Sequence, residues 1–237
     1  MKKDFMDFWS LERMRVDFPG QWGVAVDFMH EYQGDWDQAD LHIAMRAYFA
    51  TVMLHDALPY GNNNGHARNL IAQRKAFGIG EDDVKFLAYW DETGLKATGD
   101  DIKLAGWQRP GKLLLLVANF GEKQEARVTL DPVKLGLGGG APSVTDAEAG
   151  FKYQVNRRVP KSAEELAQEK ARFEQAEAAK AEKDPKYGPK PFKADPWRNE
   201  QVIATDGDRN PPVKLDGMKL TVPVERHNYR LLVVERK

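Results

Sequence analysis

The run Lys112-Leu-Leu-Leu-Leu-Val-Ala-Asn-Phe-Gly-Glu-Lys-Gln-Glu-Ala-Arg-Val-Thr-Leu130 carries two strands and the turn between them. Leu113 to Ala118 is the longest apolar stretch of the chain, of strand rather than helix length, and Asn119-Phe-Gly-Glu-Lys123 supplies the turn. Beyond it Ala126, Val128 and Leu130 alternate with Arg127 and Thr129, as an antiparallel strand with one wet face requires. The same rhythm returns near the C-terminus. Leu220, Val222 and Val224 alternate with Lys219, Thr221 and Pro223, and Tyr229 to Val234 is a strongly apolar closing strand. Val84-Lys-Phe-Leu-Ala-Tyr-Trp90 is a further strand candidate. This half is expected to be antiparallel β, with Leu114, Leu116, Val128, Leu220, Val222, Leu231 and Val233 turned to one interior.

Upstream the pattern changes. Gly23-Val-Ala-Val-Asp-Phe28, behind the Pro19-Gly20 turn signal, reads as a buried strand ending near Asp27. From Asp37 onward Leu41, Ala44, Met45, Tyr48, Phe49 and Val52 recur at three- and four-residue steps, which makes a helix to about His55. Pro59 and the loop Tyr60-Gly-Asn-Asn-Asn-Gly65 separate it from a second helix, Ala67 to Phe77, ended by Gly78. Strand, helix, loop, helix is α/β order, so residues 1–94 form an α/β region and residues 95–237 a β domain.

One segment interrupts the β pattern. Ser162-Ala-Glu-Glu165 is a capping box, and the alanine, glutamate and lysine that follow to Lys183 favour helix. Only Leu166 and Phe173 give that helix large apolar side chains, and Pro189, Pro191 and Pro196 then mark an extended return. Residues 159–198 are read as a helical insertion between strands.

Composition limits the function classes. In 237 residues, 35 Lys and Arg stand against 36 Asp and Glu, so no overall field gathers nucleic acid or an anionic membrane. No apolar run approaches the ~20 residues of a spanning helix, and Asp4 and Asp7 interrupt what would be the apolar part of a signal peptide. A soluble chain with no nucleic-acid or membrane partner is expected, its compartment and oligomeric state open. There is no cysteine, which excludes disulfides, thiolate metal sites and a cysteine nucleophile. His42 and His55 share a helix but lie on nearly opposite sides of it, so they cannot clasp one metal. No metal and no cofactor is expected.

Acid and base chemistry has its densest candidates in Asp27, Glu31, Asp35, Asp37 and Asp40. Asp27 at a strand end with Glu31 just after it is placed as catalytic carboxylates are in α/β barrels, where strand C-terminal ends build the active site. Acidic residues there also solvate loops and cap helices. His55 and Asp56 close a helix facing Tyr60, suited to a pocket or to an electrostatic cap. Of the six tryptophans, Trp9, Trp22, Trp36 and Trp90 sit beside polar residues near element ends, where an indole either stacks on a sugar ring or fills a core. Trp90, before Asp91-Glu92, is the best placed at a cleft rim. Asp27 and Glu31 are thus the catalytic candidates and His55, Asp56, Tyr60 and Trp90 the substrate-binding ones, expected to line one cleft.

Asp101-Ile-Lys-Leu-Ala-Gly-Trp-Gln-Arg-Pro-Gly-Lys-Leu-Leu-Leu-Leu-Val-Ala-Asn-Phe-Gly121 resembles the C-terminal β domain of glycoside hydrolases such as α-amylases and α-galactosidases, in which a catalytic (β/α)8 barrel precedes a β-sandwich. Leu220 to Val234 is similar to the last two strands of such domains. Met53-Leu-His-Asp-Ala-Leu-Pro-Tyr60 and Phe77 to Trp90 resemble the final barrel helices and the exit into the sandwich. The likeness is to uncharacterised bacterial glycoside-hydrolase-like proteins near glycoside hydrolase family 123. It implies an α+β chain: a partial α/β, barrel-end region, then an antiparallel β-sandwich with a helical insertion. A barrel takes ~200 residues or more, so only its end fits before residue 95. The resemblance implies a protein acting on or binding a polysaccharide or oligosaccharide. The alternative is a noncatalytic carbohydrate-binding or structural module whose catalytic barrel is not in this chain.

Overall fold

The structure is a computed structural model in which residues 10–17, 38–57, 65–99, 101–150, 154–184, 186–193, 200–206 and 210–236 are described. The strand expected at Gly23–Phe28, with Asp27 and Glu31, lies outside them, as do Tyr60 and most of its loop, and Trp9, Trp22 and Trp36. The chain is α+β with antiparallel sheets. By contacts it forms two compact units, one holding the described parts of Met1–Trp36, Asp40–Tyr153 and Gly207–Lys237, the other built on Gln154–Asp206.

In the first unit α1 is Leu11–Asp17, α2 Gln38–Leu54 and α3 Gly65–Phe77. One sheet has the order β1 (Lys85–Leu87), β3 (Ile102–Arg109), β4 (Lys112–Asn119), β11 (Asn228–Arg236), β6 (Pro142–Asp146). The second has the order β2 (Leu95–Thr98), β5 (Gln124–Leu130), β10 (Lys219–Val224), β9 (Lys214–Asp216). The central strand β4 pairs antiparallel with both β3 and β11, Leu115 standing opposite Gly106 on one side and Leu232 on the other.

The unbroken apolar run of β4 has a physical reason: both of its faces are buried. Leu114, Leu116 and Ala118 pack with Trp107, Leu231 and the helical residues Phe49, Met53 and Leu70. Leu113, Leu115 and Val117 pack with Leu232 of the same sheet and with Val128, Leu220 and Val222 of the facing one. The five-stranded sheet is therefore a middle layer, helices on one face and the four-stranded sheet on the other. This corrects the expectation of one shared interior: Leu114, Leu116 and Leu231 belong to the helical core, Val128, Leu220 and Val222 to the core between the sheets. Val233 only packs at the edge of the helical core. Period-two alternation marks which face is wet, and in a strand buried on both sides it carries no such mark.

The expected strand Val84–Trp90 is shortened to β1, because the Asp91 amide bonds back to the Ala88 carbonyl at 3.2 Å and turns the chain at Tyr89-Trp90. Asn119, fully buried, fixes the turns at that end of the sheets. Its Oδ1 accepts from the Gly121 amide at 3.0 Å and from Gln124 Nε2 at 2.9 Å, while its Nδ2 donates to the Glu122 carbonyl at 2.8 Å and the Glu225 carbonyl at 3.0 Å.

A buried ion pair ties the helical layer to the sheet. Arg46 of α2 donates to both carboxylate oxygens of Glu148, at 3.0 and 2.9 Å, and to the Tyr229 carbonyl at 2.9 Å. Asn69 of α3 donates to the same carboxylate at 2.8 Å.

The second unit holds the hairpin β7 (Gln154–Pro160) with β8 (Glu200–Asp206), and between them α4 (Ala163–Lys183). α4 starts in the expected capping box, the Ser162 side chain accepting from the Glu165 amide and the Glu165 side chain from the Ser162 amide. The extended return lies along it. The Phe192 ring is 5.6 Å from that of Phe173, and Glu177 accepts from the Tyr187 hydroxyl at 2.7 Å and the Lys190 amide at 2.9 Å.

Candidate functional site

The end of α2 is the richest chemical locus among the described residues. Asp56 occupies the position after a helix end that glycine usually takes: its φ is +53°, its amide bonds to the Met53 carbonyl at 3.1 Å, and the Ala57 amide reaches back to the Val52 carbonyl at 3.1 Å. α3 ends the same way with glycine at that position, Gly78, at φ +89°. An aspartate tolerates this backbone better than most residues but gains nothing from it. Its side chain explains its presence.

The Asp56 Oδ1 accepts from Trp107 Nε1 at 2.8 Å and from Arg74 Nη2 at 2.9 Å. Arg74, on the last turn of α3, has its guanidinium carbon 4.8 Å from the centre of the Trp107 ring. Its Nη1 is buried without a hydrogen-bond partner among the described residues. Arg74 holds Asp56 through Nη2 and also lines the cleft on which Asp56 opens. Asp56 itself is 37% exposed and opens on a cleft of about 570 Å³ that Lys75, Glu81, Phe86 and Trp107 also line.

His55 and Trp90 stand on the neighbouring side. The His55 ring is 5.5 Å from Tyr89, edge on, and 5.8 Å from Trp90. Its Nδ1 is 2.7 Å from the Thr51 carbonyl, a contact that requires the proton on Nδ1. Burial holds the His55 pKa below 6.5, with the Thr51 and Leu11 carbonyls pulling upward and Arg15 adding to the depression. Tyr89 is pushed above 10 by burial and by Glu12, with Arg15 opposing. The Arg15 guanidinium lies 5.0 Å from the centre of the Trp90 ring.

The structure thus brings His55, Asp56 and Trp90 to one helix end, with Asp56 alone of the three on the 570 Å³ cleft. Asp27, Glu31 and Tyr60 lie outside the described residues. Arg74, Trp107 and Tyr89 are the participants that sequence patterning passed over. Trp107 lies inside the apolar strand quoted from Asp101, where nothing marks its indole N–H as a partner of Asp56, and nothing in the spacing of Arg74 pointed to Asp56 either. Among the described residues no group of three His, Asp or Glu side chains is placed to hold a metal ion, and no helix is long and apolar enough to cross a membrane. The chain matches no protein-family model, and neither curated proteins nor solved structures yield a match.

Proposed function

We propose that this is a glycoside-hydrolase-like protein that acts on or binds a polysaccharide or oligosaccharide, with the facing sheets as its β-sandwich and the helical layer as the closing elements of a barrel. The observation that carries the reading is the anchored carboxylate of Asp56 beside a cleft of about 570 Å³, a volume within the range of small-ligand sites. With Oδ1 committed to Trp107 and Arg74, Oδ2 is the oxygen that a ligand hydroxyl would meet. Phe86 supplies apolar wall for the carbon face of a sugar ring, and Lys75 a donor.

Catalysis in this reading belongs to Asp27 and Glu31, because Asp56 is held in an ion pair. A retaining mechanism needs two carboxylates ~5 Å apart and an inverting one ~6.5–9.5 Å. The engagement of Asp56 also favours a second reading, a noncatalytic carbohydrate-binding module. Tryptophan fluorescence titrated with a panel of neutral and acidic oligosaccharides, together with hydrolysis of chromogenic glycosides by the full chain and by Asp27→Asn, separates the two. Hydrolysis abolished by Asp27→Asn supports the enzyme, and binding without hydrolysis supports the module. The carbohydrate reading falls if no saccharide binds, or if Asp56→Asn binds as tightly as the parent chain.

A further inference from the structure

A second cleft, of about 500 Å³, opens on the other face of the β1–β3 edge. In that pairing Lys85 stands opposite Gln108 and Phe86 opposite Trp107. Neighbours along a strand point to opposite faces, so Phe86 and Trp107 line the cleft of Asp56 while Lys85 and Gln108 line this one. Asp83, Arg109, Gly136 and Arg236 also border it. We infer that this cleft binds an oxyanion, phosphate or sulfate, free or carried as an ester.

Charge and backbone both favour an anion there. Arg109 is already engaged: its guanidinium donates to both Asp83 oxygens, at 2.9 and 3.2 Å, to Glu81 at 3.0 Å and to the Phe77 carbonyl at 2.9 Å. It is a fixed wall whose charge those carboxylates match. Positive charge free to meet a ligand comes from Lys85 and Arg236, which have no carboxylate partner among the described residues. Arg236 Nη1 donates to the Gly138 carbonyl at 2.7 Å, which sets the guanidinium against Gly138-Gly-Gly140 and leaves its other N–H groups for a ligand. Gly139 has φ +90°, and neither its amide nor that of Gly138 is hydrogen-bonded among the described residues. Free amides in a glycine turn beside a guanidinium make a concave set of donors, and a tetrahedral oxyanion presents an acceptor to each. Lys85 adds a point charge from β1. Asp56 does not border this cleft, so the inference stands apart from the carbohydrate reading.

Nitrogen–proton correlation NMR of the full chain, titrated with sodium phosphate and sodium sulfate against sodium chloride at matched ionic strength, tests this. The Gly138 and Gly139 amide signals should move saturably with phosphate or sulfate and stay put with chloride. Lys85→Gln and Arg236→Gln should each weaken binding by at least about threefold. Both side chains are exposed, so both variants should keep the wild-type urea midpoint, and if one fails to fold the other decides. A glucose phosphate and a glucose sulfate, compared with the free ions, separate the two sources: tighter binding of an ester assigns the ester, and tighter binding of the ion assigns the free anion. Shifts that chloride reproduces, or an affinity unchanged in either folded variant, overturn the proposal.

Discussion

Asp56 Oδ1 lies 2.8 Å from Trp107 Nε1 and 2.9 Å from Arg74 Nη2, so one oxygen ties the end of α2 to the end of α3 and to β3. Asp56→Ala strips both donors of their acceptor while keeping a Cβ at positive φ. Arg74 is deeply buried but Asp56 is 37% exposed, so the cost is discounted for solvent to about 1–3 kcal/mol. Asp56→Gly loses the same bonds but relaxes the backbone, and should be roughly 1 kcal/mol less destabilising than alanine. Urea unfolding of the two variants measures the difference. Equal losses would mean that the backbone at Asp56 is unstrained.

The pH dependence of global stability follows from His55. Its folded pKa lies below the unfolded value of 6.5, with burial as the leading cause. Its favourable contribution is therefore complete above 6.5 and is lost as pH falls below it toward the folded value. Denaturation midpoints should decline through that window in the wild type and decline less in His55→Gln, compared by urea melts at matched ionic strength.

What the sequence made legible follows from how many faces each element buries. β5 and β10 have one buried face, and their inward residues Val128, Leu220 and Val222 are readable from alternation alone. β4 and β11 bury both, so Leu114 and Leu115 are indistinguishable in the sequence although they pack into different cores. His55, Asp56 and Trp90 were findable because element ends and turn residues are visible in sequence. Arg74 and Trp107 were not, since their bonds to Asp56 span 18 and 51 residues and depend on how α3 and β3 pack.

The Arg46–Glu148 pair is a separate point of failure, both side chains being 4% exposed. Glu148→Gln leaves the Arg46 charge buried without its counter-ion and should cost about 3–5 kcal/mol. Replacing both, with Arg46→Met and Glu148→Leu, removes that uncompensated charge. It does not restore wild-type stability, because Asn69 and the Tyr229 carbonyl lose partners as well. Urea melts of Arg46→Met, Glu148→Leu and the double give the coupling. A fully recovered double variant would show that Asn69 and Tyr229 are satisfied by other groups.

The insertion should be dispensable for the first unit. Within the second unit α4 buries its thin apolar face on its own return segment, through Phe173 and Phe192, and anchors that segment at Glu177. Lys180 first, then the Lys190 amide and the Tyr187 hydroxyl, hold the Glu177 carboxyl down at about 2. The anchor's contribution is therefore present above the ordinary value of 4.5 and is lost as pH falls toward about 2. Glu177→Gln should loosen residues 186–193 at neutral pH, seen as faster exchange of the Lys190 amide, without changing protection in β4. Deleting residues 161–193 behind a short Gly-Ser bridge should leave cooperative unfolding of the two facing sheets intact, because among the described residues the apolar cores on either face of β4 include none of the deleted segment. If the deletion abolished cooperativity, those two cores would not be the whole basis of the first unit's stability.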